Sequence, residues 1–489
     1  MFIGAVRIPL GMARSLLAFL LLLPLPSAAQ TCPDFFAPIT TGIVQDPAVD
    51  EASGLVESSL NPGVFWVHND SGDTPRVFAM RADGRLLASY NLTGASATDW
   101  EDMARGPGPT PGVDYLYLGD IGDNPAARSF ITVWRVPEPV VDPETMGAEI
   151  DLAGAVALEM EYPSGAYDAE TLLSDPLTGD LFIVTKCAAA AGCTNGVSRV
   201  FRYPFPHQDG TRVVLTEVGT IPFSGPQFLH SATAGDISSS GDRIAVRTYT
   251  QALLYNRESG ETIADALTGT PCQIAVPPQI QGETLAFSID GASYSSVSEF
   301  PSQPIQRIDE ALADETILGR ALVVKDPSLG ADETRRRVIV TARDVGSVAP
   351  ILGSPHAAGA VLEIIANGGN STAQTFVLLS GNDSRGTPFW RDLGANGFRY
   401  SDSAGEQGPV KKVVFRRNSR GTTTLKVVVT GQNGALAIVP PSPGTDGYAT
   451  LRFPGGDRYC VEFGPSSNRK NAGAKLWRMT KPAAEGCPP

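Results

Sequence analysis

Apolar residues along this chain fall in short runs broken by Gly, Pro, Asn and Asp, and five of those runs share one order. An acidic residue comes first, then a small apolar run, a turn and a second strand. The starts read Asp50-Glu51-Ala52-Ser53-Gly54-Leu55, Asp99-Trp100-Glu101-Asp102-Met103-Ala104, Asp168-Ala169-Glu170-Thr171-Leu172-Leu173, Gly235-Asp236-Ile237-Ser238 and Gly282-Glu283-Thr284-Leu285-Ala286-Phe287. Their spacing of about 50 to 70 residues is close to one four-stranded propeller blade.

Second strands are predicted at Val64–Val67, Tyr115–Leu118, Leu181–Val184, Arg243–Val246 and Ala292–Val297, each after a turn signal such as Asn61-Pro62-Gly63 or Asp290-Gly291. Third strands follow at Arg76–Met80, Ile131–Arg135, Arg199–Tyr203, Ala252–Tyr255 and Ile305–Ile308. Residues Phe35–Val44 are placed to complete the fifth unit, so that the start of the chain closes the ring and removes an open edge. The expectation is an all-β chain, a five-bladed β-propeller over 30–319. A sixth blade has room in the long spacings between 100 and 168 or between 170 and 235.

Residues 320–489 lack the acidic repeat. Their strands (Arg337–Thr341, Ala360–Ile365, Lys411–Phe415, Thr424–Val429, Tyr448–Phe453) predict a β-sandwich-like C-terminal domain after a linker at Lys325-Asp326-Pro327. No mature segment has helical periodicity.

The N-terminus predicts export. Arg7 and Arg14 precede the apolar run Leu16–Leu25 and the small residues Ser27-Ala28-Ala29, the pattern of a signal peptide over 1–29. The apolar run is too short to span a membrane. A secreted or periplasmic protein with six cysteines is expected to pair them: Cys187–Cys193 and Cys460–Cys487 by proximity, then Cys32–Cys272 by elimination.

Composition changes the picture in one respect. The net charge is −14, but residues 1–319 carry 16 Lys+Arg against 39 Asp+Glu, whereas 320–489 carry 22 against 13. The acidic part suits cations and the basic part an anionic partner. No transmembrane span and no nucleic-acid motif appears.

In a propeller the starts of first strands and the ends of second strands meet at one mouth. That places Glu51, Glu101, Glu170, Asp236 and Glu283 with the strand-end residues Asp120 and Glu299, the expected metal ligands. Hard oxygen donors without His or Cys select Ca2+ or Mg2+, here Ca2+. Lys186 and Arg247 are candidates to hold an anion against the metal, and His68 is a candidate base. Acids at such positions also serve as structural pins for backbone N–H groups. Two oxygen-rich loops, His68–Asp73 and Gly119–Asn124, follow equivalent strands and fit either calcium or Asx turns. His230 could approach the same mouth.

The strings Ala52-Ser53-Gly54-Leu55, Trp66–Gly72, Asp99-Trp100-Glu101-Asp102, Tyr117–Asn124 and Asp168-Ala169-Glu170 resemble a group of uncharacterised secreted bacterial propeller proteins. More distantly they resemble calcium-dependent propellers of the phytase and lactonase kind. That resemblance implies calcium polarising a phosphoryl or ester oxygen. Two functions are expected from these residues. One is an exported calcium-binding propeller that binds an anionic small molecule, with hydrolysis of a phosphate ester or lactone as its catalytic form. The alternative is a non-catalytic extracellular or cell-envelope binding protein.

Overall fold

A computed structural model describes residues 32–142, 147–187, 197–224, 231–312, 314–345, 351–464 and 468–480. The chain divides into a short unit, Met1–Cys32, of which only Cys32 is described, and one compact unit, Pro33–Pro489. Residues 1–29, the expected signal peptide, and His230 lie outside the described residues.

The five repeats fold as five antiparallel-based sheets of four or five strands. Their first strands are Ala52–Glu57, Trp100–Pro107, Ala169–Ser174, Ala234–Ile237 and Ala286–Phe287. Each pairs with the strand that follows it. The first strands also pack against one another in chain order, and the fifth returns to the first, so the sheets surround a common axis. This is a propeller arrangement. Small residues on these strands permit it: a Cβ on Gly235 would come within 2.7 Å of the Ala245 carbonyl oxygen.

The long spacings hold strands that join sheets already present. Ala148–Leu152 pairs in parallel with Leu86–Leu92 in the first sheet, and Val213–Val214 pairs in parallel with Val156–Glu161 in the second. The fifth sheet is closed by the start of the compact unit. Asp34–Phe35 and Ile39–Ile43 both pair with Pro304–Ala311, which satisfies backbone groups that a free edge would leave to solvent.

Polar side chains tie the first strands together across the axis. Asp102, wholly buried, accepts from the N–H groups of Met103 (2.8 Å), Leu172 (3.0 Å) and Gly235 (3.3 Å), and so bridges three sheets. Asp236 accepts from Ile237 N–H and from Phe287 N–H in the next sheet, each at 2.8 Å.

The remaining strands form a five-stranded and an eight-stranded sheet that share one apolar core, including Trp390, Phe415, Phe453, Tyr459 and Trp477. Asp314–Thr316 and Gly319–Lys325 already belong to these two sheets, so Lys325 ends a strand here and does not begin a linker. Asp309 of the fifth sheet, wholly buried, pairs with Arg307 at 2.9 Å and with Arg452 of the five-stranded sheet at 3.1 Å. Cys32, Cys187, Cys272 and Cys460 are disulfide-bonded. Cys193 and Cys487 lie outside the described residues. No helix among the described residues is long and apolar enough to cross a membrane.

Candidate functional site

The first strands of three sheets carry a β-bulge at the same place. Ala52 pairs with Asn69 and Gly54 with His68, leaving Ser53 as the extra residue. Ala169 pairs with Thr185 and Thr171 with Val184, leaving Glu170. Trp100 pairs with Asp120 and Met103 with Leu118, which brings Glu101 and Asp102 into the bulge. A bulge re-aims a side chain that the pleat would otherwise send into a sheet face. Here it sets Glu101 and Glu170 at one end of the axis, with Ser53 donating to the Glu101 carbonyl.

Five carboxylates converge there. Oxygens of Asp70, Asp99 and Glu101 lie within 4.8 Å of one another, and so do oxygens of Asp70, Glu283 and Glu299. Asp70 therefore belongs to both groups. Glu101, Glu283 and Glu299 are buried, whereas Asp70 and Asp99 are half-buried at the opening. Glu283 is oriented by the Tyr249 hydroxyl (2.9 Å) and Gln281 Nε2 (3.2 Å). Gly122 makes room for the first group: a Cβ there would lie 2.2 Å from Glu101 Oε1 and 2.5 Å from Asp99 Oδ2.

This crowding is visible in the acidities. Burial, then the charges of Asp70 and Asp99, raise the Glu101 carboxyl well above its ordinary range. Burial, then its hydrogen bond and repulsion with Glu283, push Glu299 up to about 9. Burial, then Glu283, Asp99 and Glu51, push Asp70 up to about 6. Asp99 is raised by burial and Asp168. Carboxylates in this state share protons or a cation.

The other expected site residues occupy different places. Glu51 is exposed beside the group, and its charge acts on Asp70 and Glu299. Glu170 pairs with Lys186, so that ammonium is bound to a buried carboxylate and not poised alone for an anion. Its other oxygen, Oε2, is buried with no hydrogen-bond partner among the described residues.

Asp120 accepts from Thr98 N–H and Asp99 N–H at 3.1 Å each and pairs with Arg128 at 2.9 Å. Asp236 is the inter-sheet pin described above, its carboxyl pushed to about 7 by burial. Both stand outside the two carboxylate groups and act as structural pins.

Arg247 is wholly buried and donates to Thr248 O, Gln279 Oε1, Thr284 O and Ser296 Oγ, so it clamps the fourth and fifth sheets from behind the mouth. His68 is also wholly buried. Its Nδ1 lies 2.8 Å from the Asn69 carbonyl, its ring meets Trp100 edge-on, and burial lowers its pKa, so it is packing and not an accessible base.

Of the two oxygen-rich loops, the second spends its acids on turns: Asp123 accepts from Ala127 and Arg128 N–H. In the first, Asp73 pairs with Arg76, and only Asp70 reaches the cluster. Asp70 and Asp99 were the residues missing from the predicted ligand set. Each stands beside a predicted element, Asp70 just past a second strand and Asp99 just before a first one, which is the signal that could have found them.

No family model matches the chain, and no curated protein matches it. A solved structure described as "Structure of Dos1 propeller" matches over 77% of this chain and 78% of its own, at 10% identity and a TM-score of 0.26. A likeness that low carries no argument, and the fold stands on the strand pairing above.

Proposed function

We propose that this is an exported five-bladed β-propeller with a C-terminal β-sandwich, and that its acidic mouth binds calcium and, through it, an anionic small molecule. The observation that supports this reading is the position of Asp70, shared by two carboxylate groups whose oxygens lie within 4.8 Å. Oxygens bound to one calcium at about 2.3–2.6 Å stand at most about 5 Å apart. Each group therefore has the span of one coordination shell. Magnesium holds its ligands at about 2.0–2.1 Å and needs a tighter octahedron. Five carboxylates balance two such ions better than one, with Asp70 between them.

The half-buried Asp70 and Asp99 leave the outer side of the shell to solvent, where an anion's oxygen can complete it. Binding is favoured over hydrolysis because His68 is walled in and Arg247 is wholly buried, its Nε and Nη1 held by neighbouring backbone and side-chain oxygens. Disulfide-bonded cysteines accord with an exported protein.

The test is calorimetric titration of calcium into chelator-stripped full-length protein, with melting curves alongside. Calcium at about 100 times its dissociation constant should add about 2.7 kcal/mol. Asp70→Asn should abolish both the heat and the shift. No heat and no shift in the parent protein would overturn the reading.

A further inference from the structure

The eight-stranded sheet turns one face to the shared core and the other outward. Along Arg337–Val345 the inward residues Val338, Val340 and Ala342 are buried, and the outward ones alternate with them. The same alternation holds in Leu476–Thr480, in Val410–Arg417 beyond a register shift at Lys411, and in Thr422–Thr430 except at Val428, which is buried.

The charged residues at outward positions are basic. Arg337, Arg343, Arg399, Arg416, Lys426 and Arg478 are all exposed on this side. No Asp or Glu occupies an outward position of these strands: Asp344 lies on the inward side with Ala342, and Asp392 pairs with the inward Phe398. The basic residues of this region that form ion pairs are others, Arg336, Arg417, Arg452 and Arg458.

The register spreads these charges in two dimensions. Arg343 and Arg416 both pair with Thr424, from opposite sides. They are thus two strands, or about 10 Å, apart. Arg399 and Lys426 flank Val414 in the same way. From Gly397–Ser401 to Leu476–Thr480 the sheet steps across five strand spacings, about 24 Å. Between the charges stand half-buried Val414, Ile339 and Val323, and the outward side of these strands bears no aromatic residue.

We infer that this face docks the protein on a flat anionic surface, the phosphate headgroups of a lipid bilayer. A broad surface can meet charges on several neighbouring strands together, whereas a linear polyanion follows one row. Single-stranded nucleic acid gains much of its binding from stacking on aromatic side chains, which the face lacks. Unpaired Lys and Arg near an anionic bilayer each add to the attraction, and salt weakens it within a Debye length of about 10 Å at 0.1 M.

The experiment is co-sedimentation of the full chain, in chelator, with phosphatidylcholine vesicles containing about one third phosphatidylglycerol. Binding is expected at low salt, lost at about 0.5 M salt and absent with pure phosphatidylcholine. The triple variant Arg343→Gln/Arg416→Gln/Lys426→Gln should melt as the parent does and bind at least about tenfold more weakly. Asp70→Asn should bind vesicles like the parent, which separates this surface from the calcium mouth. Equal binding by the triple variant, no binding at low salt, or a charge-dependent preference for duplex DNA over vesicles would overturn the inference.

Discussion

Glu101 and Glu170 occupy the same place in neighbouring sheets, each thrown inward by a bulge across from the end of the second strand. Their surroundings then diverge. Glu101 meets Asp70 and Asp99, whereas Glu170 meets Lys186. One backbone device thus yields a crowded carboxylate and a neutralised one around the same opening.

That neutralisation has a measurable strength. Lys186→Met leaves the Glu170 carboxylate buried without its cation, and breaking such a pair costs about 3 kcal/mol. Lys186→Met/Glu170→Gln removes both charges and should recover most of the loss. Denaturant midpoints in chelator of the parent, Lys186→Met, Glu170→Gln and the double variant check this. Additive losses would show that the two side chains do not depend on each other.

Acidity should govern the stability of the calcium-free protein. Burial holds Glu299 at about 9, Asp236 and Glu57 at about 7 and Asp70 at about 6. The folded state therefore keeps protons that the unfolded chain releases near its ordinary value of about 4. The stability they contribute is full below that value and is lost as pH rises through the folded values. In chelator, the melting temperature should fall by several degrees between about pH 5 and about pH 9. Calcium should remove the part of the slope that Glu299 and Asp70 contribute, because the ion takes the place of their protons, and leave the part from Asp236 and Glu57. A melting temperature that rises over this range in chelator would contradict the assignment.

Two glycines separate packing from binding. A Cβ on Gly54 would lie 2.3 Å from His68 Nε2, inside the seam between the first two sheets, whereas one on Gly122 would strike Glu101 and Asp99. Gly54→Ala should cost about 1–3 kcal/mol by overpacking while calcium affinity holds. Gly122→Ala should instead weaken calcium at least about tenfold by displacing two ligands. Melting curves paired with calorimetry distinguish them, and equal calcium affinity in Gly122→Ala and the parent would remove Glu101 and Asp99 from the site.

Much of the fold was legible as pattern. Strands such as Leu181–Thr185 and Ala252–Asn256 were readable because a wholly buried strand is a continuous apolar run between turn residues. Closure of the fifth sheet by Ile39–Ile43 was legible for a similar reason: an apolar strand at the chain start has an open edge to satisfy. Extra strands such as Ala148–Leu152 left room for a sixth unit in the sequence, since parallel addition to a distant strand has no local signature.

The acidic repeat told where carboxylates would gather but not which ones would meet. Asp120, Asp236 and Arg247 satisfy backbone and side-chain groups of neighbouring sheets, partners brought near only by the closed ring. Asp70 and Asp99 enter the cluster because a loop and a strand entry converge at the axis. The sequence by itself determined the leading strands of each repeat, their order along the chain and the sign of charge in each region, because these follow from local periodicity and composition. The tertiary structure alone decided which acids share an opening and which bases share a face. Those outcomes depend on bulges, register and ring closure, which bring together residues far apart along the chain.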